Sequence, residues 1–405
     1  MENLVLIPAE EALVRVKKIQ ELMKSHSIDA LLISDNANKF YISGRVYNGY
    51  AYIPAEGEMT HFVRRPVELI GENLVYIHKP ENIFDILTQQ GVAMPSNIAL
   101  ELDVTPYSSI QRLSKIFPNA QIANASGILR QARAVKTEYE IKALKESGIK
   151  HATAYSKIPS IYQKGMTDLE FQVEIERLSR LGGCLGEFRI SGDSMEIYMG
   201  NVICGENADA PSPYDFAMGG AGINPSLPVG CNGTKTEQGM AIMVDVNGNY
   251  TGYMTDMTRV FSVGELDELS IKAHKCSRRI CQELSKMGQP GIEAKALYNR
   301  AIEIVTEEGL DHLFMGHRQK AGFIGHGVGI EINELPVIAP RSRDILAVGN
   351  VIALEPKFVI PSVGAVGIEN TYVVTPNGME CITHAPEEII NLLLTESNAS
   401  YCKKN

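Results

Sequence analysis

The 405-residue sequence has no Cys-x-x-Cys pair, no low-complexity tract and no apolar run near the roughly 18 residues needed to span a bilayer. Each absence removes a class of protein. Seven cysteines, at positions 184, 204, 231, 276, 281, 381 and 402, lack zinc-ribbon spacing and read as scattered reduced thiols, not as a disulfide framework. The start, "MENLVLIPAEE", has neither the basic opening nor the long apolar core of a secretory signal, so the cytoplasm is the expected location and no membrane is engaged. A net charge of −10 opposes a nucleic-acid surface, which would need clustered Lys and Arg against phosphates; "FVRRP" is too short to supply one.

The length exceeds the usual single core, and two domains are expected. In the first third, "EEALVRVKKIQELMKSHSI" places Leu13, Val16, Ile19 and Leu22 at helical spacing. The apolar runs "DALLIS", "NLVYIH" and "NIALEL" then suit strands of a sheet layered with helices. A charged helical segment around "LRQARAVKTEYEIKALKESGIKHATAYSKI", with Ile141, Leu144 and Gly148 on one stripe, places the boundary at residue 130. The expected domains are 1–130 and 131–405. Helices continue to about residue 181. The Gly- and Pro-rich "PSPYDFAMGGAGINPSLPVGCNGTKTEQG" reads as a long functional loop, without the sequence of a phosphate loop.

Beyond residue 239, five strand-like segments each interrupt an apolar run with an acid or an imidazole. They are "MAIMVDVNG", "MTDMTRVFSVG", "GFIGHGVGIEINELP", "NVIALEPKFVI" and "AVGIENTYVV". Four neighbouring buried carboxylates, Asp245, Asp256, Glu355 and Glu369, require cations, and a pair of divalent ions is the natural remedy. A two-residue turn at Asn247–Gly248 would pair Asp245 with Tyr250 and leave Asp256 on the correct face but about 20 Å away. Convergence therefore needs a strong bend or a turn placed elsewhere.

The order Asp245, Asp256, His326, Glu355, Glu369, carried by "VDVNGNYTGYMTDMTR", "GHGVGIEINELP", "EPK" and "GIEN", resembles the dinuclear site of the creatinase/aminopeptidase P/prolidase metallopeptidases. The likeness is strong over the last 160 residues; in the first third it rests on pattern and on "LRQARAVKTEYEI". It implies an α/β (α+β) chain, with a small N-terminal creatinase-like domain followed by a pita-bread catalytic domain. It also implies that Asp245 binds one ion, that His326 and Glu355 favour the other, and that Asp256 and Glu369 bridge both. Such a pair lowers the pKa of a shared water and supplies a nucleophile. The oxygen-rich set suits Mn²⁺, with Co, Zn or Fe as other options. A homodimer acting on a small peptide or small-molecule substrate is expected.

Glu334 resembles the family's carboxylate beside the scissile bond, or else is a solvated loop acid. His317, Arg318 and Lys320 read as surface residues. The substrate shell departs from the pattern. Asn333 stands where the peptidases carry histidine, Ser212 where a second histidine follows "Gly-x-Asn", Gly367 where prolyl-specific members carry arginine, and Asn370 where an acid is usual. Ser212, Tyr214 and Asn333 are the expected substrate contacts, with Glu334 and Asn333 as catalytic candidates. Since the costly carboxylates are kept, the leading expectation is a metal-dependent hydrolase resembling Xaa-Pro peptidases. A non-peptidase enzyme acting on a small amide or guanidino metabolite, and a non-catalytic metal-stabilised binding protein, are the alternatives.

Overall fold

The computed structural model describes residues 2–192, 196–215 and 219–394, which form two compact units, Met1–Arg133 and Ala134–Asn405. Cys402 lies outside the described residues. Five of the other cysteines are buried free thiols and Cys381 is half-buried, with no disulfide among them. Among the described residues no helix is long and apolar enough to cross a membrane.

The first unit is a six-stranded mixed sheet of β1 (Ala30–Ile33), β2 (Asn48–Pro54), β3 (Thr60–Arg65), β4 (Leu74–Tyr76), β5 (Asn97–Leu100) and β6 (Gln121–Asn124), ordered β4-β3-β2-β1-β5-β6. β1 is buried throughout, as its unbroken apolar run requires in a sheet covered on both faces. The helices are α1 (Ala9–Ser25), α2 (Asn36–Ser43), α3 (Asn82–Gln89) and α4 (Tyr107–Ser114), followed by α5 (Ser126–Ala134). The buried stripe of α1 is Arg15, Val16, Ile19 and Met23, while Leu13 is exposed. The helical spacing was right and the face is rotated, because Arg15 is drawn inward to the Tyr41 carbonyl (2.6 Å) and lies over the Tyr41 ring.

In the second unit, α6 (Glu138–Tyr155) and α7 (Asp168–Leu181) both begin with capping boxes, Thr137/Glu140 and Thr167/Glu170, which satisfy the first free backbone N–H groups. Leu144 and Gly148 of α6 are buried. Gly148 has no room for a side chain, since a Cβ there would lie 2.1 Å from the Ile382 carbonyl oxygen. α8 (Glu268–Met287) and α9 (Ala294–Glu308) bury apolar stripes, including Ile280, Leu284, Leu297 and Ile304, in the main core.

The strands of this unit include β7 (Gly200–Cys204), β8 (Ala241–Val246), β9 (Thr258–Ser262), β10 (Gly325–Gly327), β11 (Glu334–Ile338), β12 (Val351–Leu354), β13 (Lys357–Ile360), β14 (Gly364–Gly367), β15 (Asn370–Thr375), β16 (Gly378–Cys381) and β17 (Ile390–Asn391). They form a four-stranded sheet β17-β9-β8-β7, a five-stranded sheet β11-β10-β12-β15-β16, and the hairpin β13-β14. Between Ser212 and β8 the described residues form neither helix nor named strand; Phe216, Ala217 and Met218 of the expected loop lie outside them.

Candidate metal centre

Register explains how distant acids converge. Asp245 pairs with Thr258, and farther along the same ribbon Gly248 pairs with Thr255 and Asn249 with Met254. The turn therefore lies between Asn249 and Met254, not at Asn247–Gly248. The shift brings Asp256 to within two residues of Asp245's partner, on the same face, where diagonal neighbours are in reach. The 20 Å gap does not exist because the centre of the turn is four residues farther out.

The same period of two places the rest. Thr258 and Glu369 exchange backbone hydrogen bonds (3.2 and 3.3 Å), which bring the start of β9 against the start of β15. β12 pairs Leu354 with Asn370, and β13 pairs Lys357 with Gly367, so Glu355 falls opposite Glu369 in the register between them. His326 pairs with Ala353, two residues before Glu355 and on the same face. All five expected ligands thus project to one side, from five separate stretches of backbone.

Asp256, His326 and Glu369 each offer a ligand atom within 4.8 Å of the others. Nδ1 of His326 lies 3.1 Å from the Gly327 carbonyl, to which it donates, and the ring turns Nε2 toward the acids. Nε2 is 3.4 Å from Glu355 Oε1 and 3.8 Å from Asp256 Oδ2. Glu369 is 1% exposed; its Oε2 accepts from the Thr258 hydroxyl (2.7 Å), while Oε1 is buried with no hydrogen-bond partner among the described residues. Two acids and an imidazole gathered within this distance, with one glutamate oxygen left unpartnered, fit a divalent cation.

Lys357 was not anticipated. Its ammonium, fully buried, donates to Asp245 Oδ2 (2.8 Å), Glu369 Oε2 (3.0 Å) and Glu355 Oε2 (3.1 Å). The signal was present in "EPK": two residues beyond Glu355 in an extended segment is the same face.

The electrostatics follow from this packing. Burial, reinforced by the charges of Glu369 and Asp245, pushes the Asp256 carboxyl well above the usual range. Burial also raises Asp245, with Lys357 opposing it. Burial disfavours charge on Lys357 and His326, but the surrounding carboxylates outweigh it, holding the amine firmly protonated and raising the imidazole to about 10. A cluster that holds its protons so tightly is short of positive charge.

Arg259, beside Thr258, is buried. It donates to the carbonyls of Thr258 (2.8 Å), Glu369 (2.8 Å) and Ala385 (3.0 Å) and to Asn370 Oδ1 (2.7 Å). Asn370, which stands where an acid is usual, thereby helps fix the backbone of Glu369 beside it.

The expected substrate residues have other partners. The Asn333 amide is engaged in both directions by Ser191, accepting from its N–H (2.9 Å) and donating to its carbonyl (2.6 Å). Glu334 forms a buried ion pair with Lys136 (2.9 Å) and accepts from the N–H groups of Ile330 and Glu331, closing the turn after β10. Ser212 exchanges hydrogen bonds with Gln319. Together with Tyr214, His317 and Asp209 it lines a small pocket that includes Val359, two residues along β13 from Lys357. His317 and Arg318 are exposed and pair with Asp209; Lys320 is exposed and donates to the Asp311 carbonyl.

This fold and ligand set define a metal-dependent hydrolase of the metallopeptidase type. The model of metallopeptidase family M24 matches residues 142–376, and that of the creatinase/prolidase N-terminal domain matches residues 15–135; the chain belongs to metallopeptidase family M24. Among its curated relatives, the Xaa-Pro dipeptidase of Pyrococcus horikoshii is 28% identical over 93% of this chain and 98% of its own length. An uncharacterised peptidase of Bacillus subtilis is 26% identical over 93% and 100%. Among solved structures, the Xaa-Pro dipeptidase from Bacillus anthracis aligns with a TM-score of 0.78 at 23% identity, over 94% of this chain and 99% of that one. The small α/β domain followed by a pita-bread domain is therefore the fold, and membership of the family implies a divalent metal cofactor.

Proposed function

We propose that the chain is a metal-dependent hydrolase of Xaa-Pro dipeptides or of short peptides with proline in the second position. The observation that carries this reading is the convergence of Asp256, His326 and Glu369, with Glu369 Oε1 left without a partner. A bound divalent ion, Mn²⁺ being the best match to an oxygen-rich set, would polarise the scissile carbonyl and lower the pKa of water. The chain's own residues do the rest. His326 presents Nε2, fixed by its Nδ1 contact; Glu355 turns Oε1 toward the same point; Thr258 and Arg259 hold Glu369 in place. Glu334 and Asn333 are assigned to the space beside the scissile bond, and Ser212 and Tyr214 to the substrate pocket. A cytoplasmic location and a homodimer are part of the proposal.

Turnover of a panel of Xaa-Pro dipeptides by Mn²⁺-loaded protein tests the reading. No turnover of any member, with metal bound, would favour the binding-protein alternative.

One observation favours a second substrate class. Asparagine cannot take up a proton near neutral pH, and here its amide is occupied by Ser191. Asn333→His, alone or with Ser212→His, is expected to raise kcat/KM on Xaa-Pro dipeptides by about 10-fold or more, because a positioned proton-transfer group commonly contributes about 10²–10⁴-fold and the lost Ser191 contacts offset part of it. If neither variant is faster while metal content holds, a small amide or guanidino metabolite becomes the better substrate assignment.

A further inference from the structure

The sequence alone suggested two ions, yet the position nearest Asp245 already holds a cation. We infer that the Lys357 ammonium takes the place of one of the two ions, so that the chain binds a single divalent cation at Asp256, His326 and Glu369. The inference rests on the metal-binding reading above and concerns how many ions that site takes.

Three geometric facts support it. An ammonium has three donors, and all three of Lys357's are used, on three different carboxylates, at 2.8, 3.0 and 3.1 Å. A divalent ion bound to Asp245 and Glu369 at about 2.0–2.2 Å would compete for the same oxygens and sit against a like charge. Second, the carboxylates are divided between two tasks. Glu369 gives Oε2 to Lys357 and leaves Oε1 without a partner; Glu355 gives Oε2 to Lys357 and turns Oε1 toward His326 Nε2. One side of the cluster is complete and the other is open. Third, Lys357 is anchored: its backbone pairs with Gly367 in β14, and its side chain is fully buried. Leaving the cluster would strip three carboxylates of their shared partner.

Lys357 is thus a positioning residue. It holds Asp245, Glu355 and Glu369 around one charge and leaves the other oxygens of the two glutamates for a single site.

Elemental analysis after dialysis against excess Mn²⁺ reads the inference without recourse to activity. Wild-type protein is expected to retain about one ion per chain, and Lys357→Met, which keeps the length of the side chain and removes its charge, about two. Lys357→Ala should behave like Lys357→Met. Two ions on the wild type would overturn the inference and leave the metal reading standing. One ion on wild type and both variants would overturn the claim that the amine excludes the second. No ion on any of the three would overturn the metal reading itself. Should both variants fail to fold, anomalous scattering from wild-type crystals grown with Mn²⁺ decides. One peak among Asp256, His326 and Glu369 supports the inference, a second beside Asp245 refutes it, and no peak removes the metal reading.

Discussion

Asp256→Ala is expected to reduce bound metal to a small fraction of the wild-type content and to lower kcat/KM by at least about 10³-fold, equivalent to about 4 kcal/mol of lost transition-state stabilisation. Asp256 belongs to the group of three that converge on one point, and its Oδ2 faces His326 Nε2 at 3.8 Å. Without it, the ion would keep one imidazole and the glutamate oxygens. The fold should survive, because the Asp256 backbone is held independently: its N–H donates to the Thr371 hydroxyl (2.8 Å), and that hydroxyl donates to its carbonyl (2.8 Å). Elemental analysis and dipeptide kinetics on the same preparation check the result. Unchanged metal content would remove Asp256 from the ligand set.

Arg259→Met should destabilise the second unit by about 3–5 kcal/mol, the range for removing one partner from a buried charged network. The guanidinium serves four carbonyls and the Asn370 amide at once, and methionine satisfies none of them. The Glu369 carbonyl is among the groups set free, so metal affinity should fall together with the melting temperature even though Arg259 is not itself a ligand. Thermal unfolding with and without Mn²⁺ measures both effects. A variant that melts as the wild type does would show that the strands around Glu369 hold without the arginine.

How much of this was legible in the sequence differs from residue to residue. Asp245, Asp256, His326, Glu355 and Glu369 could be named in advance because each interrupts an apolar strand, and their order matched a known pattern. Their convergence could not, since it depends on a turn at Asn249–Met254 that Asn247–Gly248, a strong hairpin signal, concealed. Strand periodicity located β1 and the helical stripe of α1, but which way α1 faced was decided by Arg15, a charged residue that periodicity assigns to solvent. Lys357 was overlooked for a related reason. A lysine beside a strand is read as a solvated end, and only the even spacing from Glu355 betrays that it points inward. The partners of Asn333 and Glu334, namely Ser191 and Lys136, are 142 and 198 residues away in the chain, beyond any local rule.

A lysine, unlike a dissolved ion, cannot be lost to a chelator. When EDTA strips the metal, the amine stays bonded to Asp245, Glu355 and Glu369, so the emptied cluster keeps a tethered counter-charge and is spared part of the mutual repulsion of its acids. The stripped chain should therefore stay folded by near-UV circular dichroism and regain full activity on adding Mn²⁺, whereas stripped Lys357→Met should unfold or aggregate before it can be reloaded. Such a chain would tolerate scarcity: it could wait idle but intact, and resume work when the metal returns.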